Sequence, residues 1–271
     1  MTGTAPLLEI GGLTVDLPGD DGELRRVVHG LDLTVAAGER VALVGESGSG
    51  KSVTAAAVLQ LMGEARLGGS VRLGGRELLG MPARELRRVR GAQVGMVFQD
   101  PLTALDPVIR VVDQVAEVLV VHGSRRRPAR DRAREVLDSL GVLGRLPRGD
   151  GYPHELSGGM RQRVGIAMAV VAEPALLIAD EPTTALDVRV QEQVLTLLDD
   201  LTRERGTAVL LITHDLGIVA GFAERVAVMR SGRLVETAGV DQLFAAPEAE
   251  YTAQLLAAVP RIDAVLPEEP R

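Results

Sequence analysis

The chain contains no cysteine, which excludes disulfides, thiolate nucleophiles and cysteine-ligated iron–sulfur clusters from its chemistry. Tryptophan is absent too, and aromatic residues make up only 2% of the sequence: Phe98, Phe222, Phe244, Tyr152 and Tyr251. The core must therefore be built from Leu, Val, Ile and Ala. The array of exposed rings on which single-stranded nucleic acid stacks cannot be assembled from so few. Long apolar runs are also missing. Stretches such as 164–172 fall well short of the ~18 residues that a membrane-spanning helix needs. Residues 1–6 carry no basic segment leading into an apolar core, so the expectation is a chain that stays in the cytoplasm. A net charge of −7 argues against a nucleic-acid-binding surface.

Lysine is almost missing as well: of 30 cationic side chains only Lys51 is not an arginine. It lies in Gly45, Glu46, Ser47, Gly48, Ser49, Gly50, Lys51, Ser52, which matches G-x-x-x-x-G-K-[ST], the phosphate-binding loop. The glycines allow backbone N–H groups to turn inward on phosphate oxygens, and the Ser52 hydroxyl can ligate Mg²⁺. A compact ammonium on a flexible stem reaches between two phosphates, where arginine's planar fork is too bulky. The flanks agree. Residues 40–44 read as a buried strand and 52–62 as a helix rich in good formers, whose N-terminus adds free donors to the anion site.

Residues 7–44 read as short strands with partial alternation, separated by Gly-Asp turns. Residues 69–75 suggest a hairpin and 94–98 a buried strand. Helical patterns follow at 111–122 and 127–140. From Gly158 the chain alternates: a helix over 158–171, a strand over 175–179, a helix over 188–205, a strand over 208–213. Such alternation implies a parallel sheet flanked by helices, here with a helical insertion around 100–170. Arg125, Arg126, Arg127, Arg130, Arg132 and Arg134 read as a solvated helix face.

Further signals follow the phosphate loop. The strand through Ile178 and Ala179 ends in Asp180 and Glu181. The first carboxylate is placed to hold Mg²⁺ and the second to contact an attacking water. Gln99 follows the strand ending at Phe98 and is placed to reach metal and water from another side. His214 follows the strand ending at Thr213. Alone, each has a mundane reading as loop polar residue, structural histidine or helix cap; their fixed order argues otherwise. Leu156, Ser157, Gly158, Gly159, Met160, Arg161, Gln162, Arg163 then opens a second helix on a Ser-Gly-Gly start, another anion site. One phosphate loop binds one nucleotide, yet two phosphate-binding helix starts are present. A head-to-tail dimer resolves the excess, each nucleotide lying between one chain's lysine loop and the other's Ser-Gly-Gly.

In these motifs the chain resembles the ATP-binding subunits of ABC transporters over about residues 7–260. Within that family it is similar to the peptide/nickel importer branch. The segments that carry this are 99–107, Tyr152 with Pro153, His154 and Glu155, 214–220, and Tyr251 to Leu256 with Val259 and Pro260. The resemblance implies an α/β fold: a P-loop NTPase with a RecA-like parallel-sheet core, an N-terminal antiparallel β subdomain and a helical subdomain inserted between the Gln99 loop and the signature helix. It implies a single ABC ATPase domain over 1–260 and a loosely ordered tail over 261–271. By the same resemblance Gly45 through Ser52 and Val53 hold ATP, and Ser52, Gln99 and Asp180 serve Mg²⁺. Glu181 is the catalytic carboxylate, with His214 at the γ-phosphate. Ser157, Gly158 and Gly159 reach the partner's ATP and Asp187 links the two sites. The partners implied are a second ATPase subunit, two membrane permeases and an extracytoplasmic substrate-binding protein, with no nucleic acid, at the cytoplasmic face of the membrane. Peptide, nickel and related cargo stay open.

Two departures stand out. The family stacks adenine on an aromatic residue ahead of the phosphate loop, but the first aromatic here is Phe98; Leu17 or Val27 is left to supply an apolar platform. Many peptide-importing relatives also continue into a cysteine-containing extension, so the expectation is a likeness to the shorter members. The alternatives are a soluble ABC ATPase acting on nucleic acid or the ribosome, and a nucleotide-binding regulatory subunit without turnover. Intact Glu181 and His214 argue against the second.

Overall fold

The computed structural model describes residues 5–19, 21–100, 104–146, 149–183 and 188–258. Asp187, the 101–103 segment of the Gln99 loop, and 259–271 lie outside them.

Strands β1 (Leu8–Pro18) and β2 (Leu24–Val35) bury Leu8, Ile10, Leu13 and Val15, and Val28, Leu31, Leu33 and Val35. They pair antiparallel, and β1 also pairs antiparallel with β4 (Arg66–Leu73), which β5 (Arg76–Glu77) extends, in the order β2-β1-β4-β5. The sequence suggested two short strands over 7–15. They form one strand because a bulge at Gly11 and Gly12 absorbs the break in alternation. Gly12 takes φ +57°, and its N–H donates to Asp32 Oδ1 at 2.8 Å.

The second sheet contains β3 (Arg40–Val44), β6 (Val94–Val97), β7 (Leu176–Asp180), β8 (Ala208–Thr213), β9 (Arg225–Arg230) and β10 (Arg233–Gly239). Its order is β10-β9-β3-β8-β7-β6, and only β10 runs antiparallel to its neighbour. Strands buried on both faces divide their side chains by the period of two. Leu176, Ile178, Leu210 and Ile212 join the core beneath the antiparallel sheet, with helix α1 (Lys51–Val58). Leu177, Ala179, Val209 and Leu211 join the opposite core, with α3 (Val111–Val121), α4 (Arg126–Ser139), α5 (Gly158–Val170) and α6 (Val188–Arg205). A short helix, α2 (Ala83–Val89), precedes β6. A third cluster gathers Ala42, Val44, Val226 and Val228 under α7 (Leu216–Phe222), α8 (Val240–Ala245) and α9 (Glu250–Ala257).

Helix α1 stops four residues before the expected Met62. The Arg90 guanidinium donates to the Leu59 and Gln60 carbonyls at 2.6–2.8 Å, and Gln60 turns to φ +49°. A cation that satisfies the last carbonyls ends a helix as a glycine cap would. The α4 arginines are not simply solvated. Arg130 pairs with Asp113, and Arg132 with Glu135 at 3.0 Å and Glu173 at 2.7 Å, tying α4 to its neighbours. No helix among the described residues is long and apolar enough to cross a membrane.

Candidate nucleotide site

Every expected site residue that the structure describes ends or follows a strand of the parallel sheet, except those at the start of α5. The loop 45–50 follows β3, Gln99 follows β6, Glu181 follows β7 and His214 follows β8. Because β3, β8, β7 and β6 are consecutive neighbours, the carboxyl ends of these strands form one row. That edge is where open α/β sheets bind ligands.

The loop's shape is dictated by glycine. Gly45, Gly48 and Gly50 adopt φ of +154°, +77° and +104°. A side-chain carbon on Gly45 would lie 2.1 Å from the Met229 carbonyl oxygen, so no other residue fits there. Lys51, only 5% exposed, turns back over the loop and donates from Nζ to the Gly45 and Glu46 carbonyls, each at 2.8 Å. Burial pushes its pKa down, against the pull of Glu181, Asp180 and Glu46. At the start of α1, Ser52 Oγ donates to Asp180 Oδ1 at 3.0 Å. Burial raises the Asp180 pKa; the Ser52 hydrogen bond and Lys51 oppose this and Glu181 reinforces it.

Glu181 is held from both sides. Gln99 Nε2 donates to its Oε2 at 3.1 Å, and His214 Nδ1 lies 3.1 Å from its Oε1. Its backbone takes φ +46°, uncommon for a residue with a side chain, while its N–H donates to the Ile212 carbonyl of β8 at 2.8 Å. An unusual backbone fixed by a neighbouring strand aims one carboxylate at a chosen point. Gln99, expected near the metal, is here engaged with Glu181.

The signature segment lies elsewhere. Ser157 caps α5, its Oγ accepting from Met160 N at 3.3 Å, and with Gly158 it is exposed. Among the described residues no hydrogen bond joins 157–159 to the loop of the same chain. Its helix packs on β6, at the far edge from β3. Val27 and Leu17 are both half-buried. The Val27 carbonyl lies 3.3 Å from where a side-chain carbon on Gly50 would be, which puts it beside the loop.

Two contacts to the loop were not foreseen. Gly232, in the β9–β10 turn, donates to the Ser49 carbonyl at 2.9 Å, and the Tyr251 hydroxyl accepts from Glu46 N at 3.3 Å. Both come from the part of the chain after Thr213, where the sequence motifs name only the 214–220 segment, which His214 opens, and Tyr251 to Leu256 with Val259 and Pro260. The apolar run Val226, Ala227, Val228, Met229 signals a buried strand, but nothing in sequence says that it docks beside β3.

A glycine loop between β3 and α1, with a carboxylate-ended strand two places along the sheet, defines a phosphate-loop nucleotide-binding protein. The chain belongs to the ABC transporter family, whose model matches residues 28–184. It is 51% identical over 263 residues to the oligopeptide transport ATP-binding protein OppD of Mycobacterium bovis, covering 96% of this chain and 43% of that one. With the protein of that name from Salmonella typhimurium it shares 49% identity over 259 residues, covering 95% of this chain and 77% of the other. The chain thus spans less than half the length of the mycobacterial relative. Among solved structures it is similar to MJ0796, a bacterial ABC transporter cassette solved as a dimer. The TM-score is 0.78 at 28% identity, over 86% of this chain and 98% of that one. The same cassette has been solved in a post-hydrolysis state bound to ADP and Pi, with equal coverage.

Proposed function

We propose that the chain is the ATP-binding and hydrolysing subunit of an ABC importer for peptides, with nickel or metal-chelate cargo as the related alternative. It works as a head-to-tail pair of ATPase subunits beneath two membrane permeases, served by an extracytoplasmic binding protein. The observation that carries this reading is Glu181, clamped between Gln99 and His214 beside the Ser52–Asp180 pair.

On this reading the γ-phosphate displaces the Gly45 and Glu46 carbonyls as the partner of Lys51, and Glu181 accepts a proton from the attacking water. Gln99 and His214 hold the carboxylate until substrate arrives, and His214 then turns to the γ-phosphate. Ser52 and Asp180 fit Mg²⁺, with Gln99 as a further oxygen donor. They are hard oxygen ligands, and a cation relieves the cost of a buried carboxylate. No cluster of three acidic or histidine residues suited to a metal occurs among the described residues, as expected where substrate phosphates complete the shell. Mg²⁺, when bound, neutralises charge on the transferred phosphoryl group. The exposed start of α5 supports a role for Ser157, Gly158 and Gly159 on the partner's nucleotide, with Asp187 linking the two sites. The permease fits a cleft of about 660 Å³ by α3 and α4, lined by Ala104, Ile109, Glu117 and Arg126. Ile109 in its lining is exposed, and so are Phe98 and Val108 in the same segment after β6.

Substituting Glu181→Gln tests this. The variant should still bind MgATP but lose turnover by roughly 10²–10⁴-fold, the scale of a positioned acid–base group. It should also collect as ATP-bound dimers in analytical ultracentrifugation. Hydrolysis near the wild-type rate would remove Glu181 from the chemistry.

A further inference from the structure

We propose that Tyr251 is a positioning residue for the phosphate loop: its hydroxyl holds the Gly45–Glu46 peptide in the orientation that nucleotide binding needs. The proposal rests on the ATP-binding reading above and assigns α9 a part in it.

The peptide bond between Gly45 and Glu46 is gripped from two sides. Its carbonyl oxygen accepts from Lys51 Nζ at 2.8 Å, and its N–H donates to Tyr251 Oη at 3.3 Å. A peptide plane with no partner at either end rotates; a hydrogen bond at one end already restrains it, and two restrain it further. When Lys51 swings to a phosphate, the carbonyl loses its partner, and the Tyr251 hydroxyl keeps the plane restrained. The Met229 carbonyl bounds the loop on its other side, where a side-chain carbon on Gly45 would come within 2.1 Å.

The ring is placed firmly enough for this. Tyr251 is 7% exposed and packs in the cluster with Val44, Leu216 and Val228, while the Arg230 guanidinium covers its face 4.6 Å from the ring centre. Upstream of α9, the Glu236 carboxylate accepts from the N–H groups of Glu248 and Ala249 at 2.9 and 3.0 Å, which fixes where the helix begins. A buried tyrosine needs a partner for its hydroxyl, and the loop supplies it. Gly232, two residues beyond Arg230, holds the Ser49 carbonyl at 2.9 Å. The β9–α9 region thus holds the loop at two points, the Glu46 N–H and the Ser49 carbonyl.

Tyr251→Phe removes one oxygen and keeps the ring, its packing and the Arg230 contact. In the nucleotide-free full chain, hydrogen exchange at the Glu46 amide should accelerate roughly 2- to 10-fold, the range one neutral hydrogen bond supplies. Amides of α9 and β9 should keep their wild-type rates. The dissociation constant for MgATP should rise by a similar roughly 2- to 10-fold factor. An unchanged Glu46 amide overturns the proposal, as does faster exchange spread over α9 and β9, which would make Tyr251 a packing residue only. If the wild-type chain itself bound no ATP, the proposed function would fail, and Glu46 exchange would still decide whether Tyr251 tethers the loop.

Discussion

Two buried charges of opposite sign face the carboxyl ends of β3 and β7, and both are held against their own hydration. Asp180 and Lys51 are each 5% exposed. The Asp180 pKa is raised by burial, so the folded chain binds a proton that the unfolded chain has already lost. Between its ordinary value of 3.8 and the raised one, stability falls as pH rises, and above that window the full cost is present. Lys51 mirrors this. Its lowered pKa makes stability rise with pH between the lowered value and 10.5, and below that window its cost is full. Near neutrality both residues therefore weaken the empty fold, a cost that the proposed phosphate and cation would relieve. Asp180→Asn should raise the thermal midpoint of the nucleotide-free chain at pH 7.5 by about 1–4 °C. The gain should shrink toward the acid end of the window, and MgATP binding should weaken. A lower midpoint at pH 7.5 would mean that the Ser52 and Lys51 contacts outweigh burial.

Among the elements, β6 and α5 show how a backbone contact ties the Gln99 strand to the signature helix. A side-chain carbon on Gly95 would lie 2.1 Å from the Ala169 carbonyl oxygen, so strand and helix touch where no methyl group fits. Gly95→Ala should cost about 1–3 kcal/mol in urea denaturation, the usual price of overpacking, and a variant as stable as wild type would show that α5 shifts freely. The boundaries of β3, α6 and β8 were legible in the sequence because an apolar run or a 3.6-residue period, with clear ends, fixes them. The end of α1 was not, since its stop signal is Arg90, far along the chain. Lys51 stood out through the phosphate-loop pattern, and Asp180 and Glu181 through the apolar strand at whose end they lie. Tyr251 could be noted only as part of a pattern, because its meaning lies in a contact across 205 residues. Gly232 carried no signal at all: a glycine in a turn looks the same whether or not it meets a phosphate loop.

For the whole molecule, the arrangement of two anion-binding helix starts is decisive. Helix α1 opens at the loop after β3, and α5 opens on an exposed Ser157 beyond the other edge of the motif strands, with no hydrogen bond between them among the described residues. On the proposed reading, a second copy turned head to tail would bring each Ser157 over the other's nucleotide. ATP would then favour the closed pair because it would contact both chains only there, and that difference between states is what would drive transport. Where the natural partner is a different subunit, the lesions below are divided between the two subunits instead. The most direct test mixes Ser157→Arg chains, whose bulky side chain fills the space of the partner's γ-phosphate and whose cation is repelled by the positive end of the helix, with Lys51→Ala chains. Either variant alone should be inactive, because both sites of its dimer are damaged. The mixture should recover about a quarter of wild-type turnover, since random pairing makes half the dimers mixed and each of those has one intact site. No recovery, together with loss of ATP binding by isolated Ser157→Arg chains, would contradict the shared site and return the signature to its own chain's nucleotide.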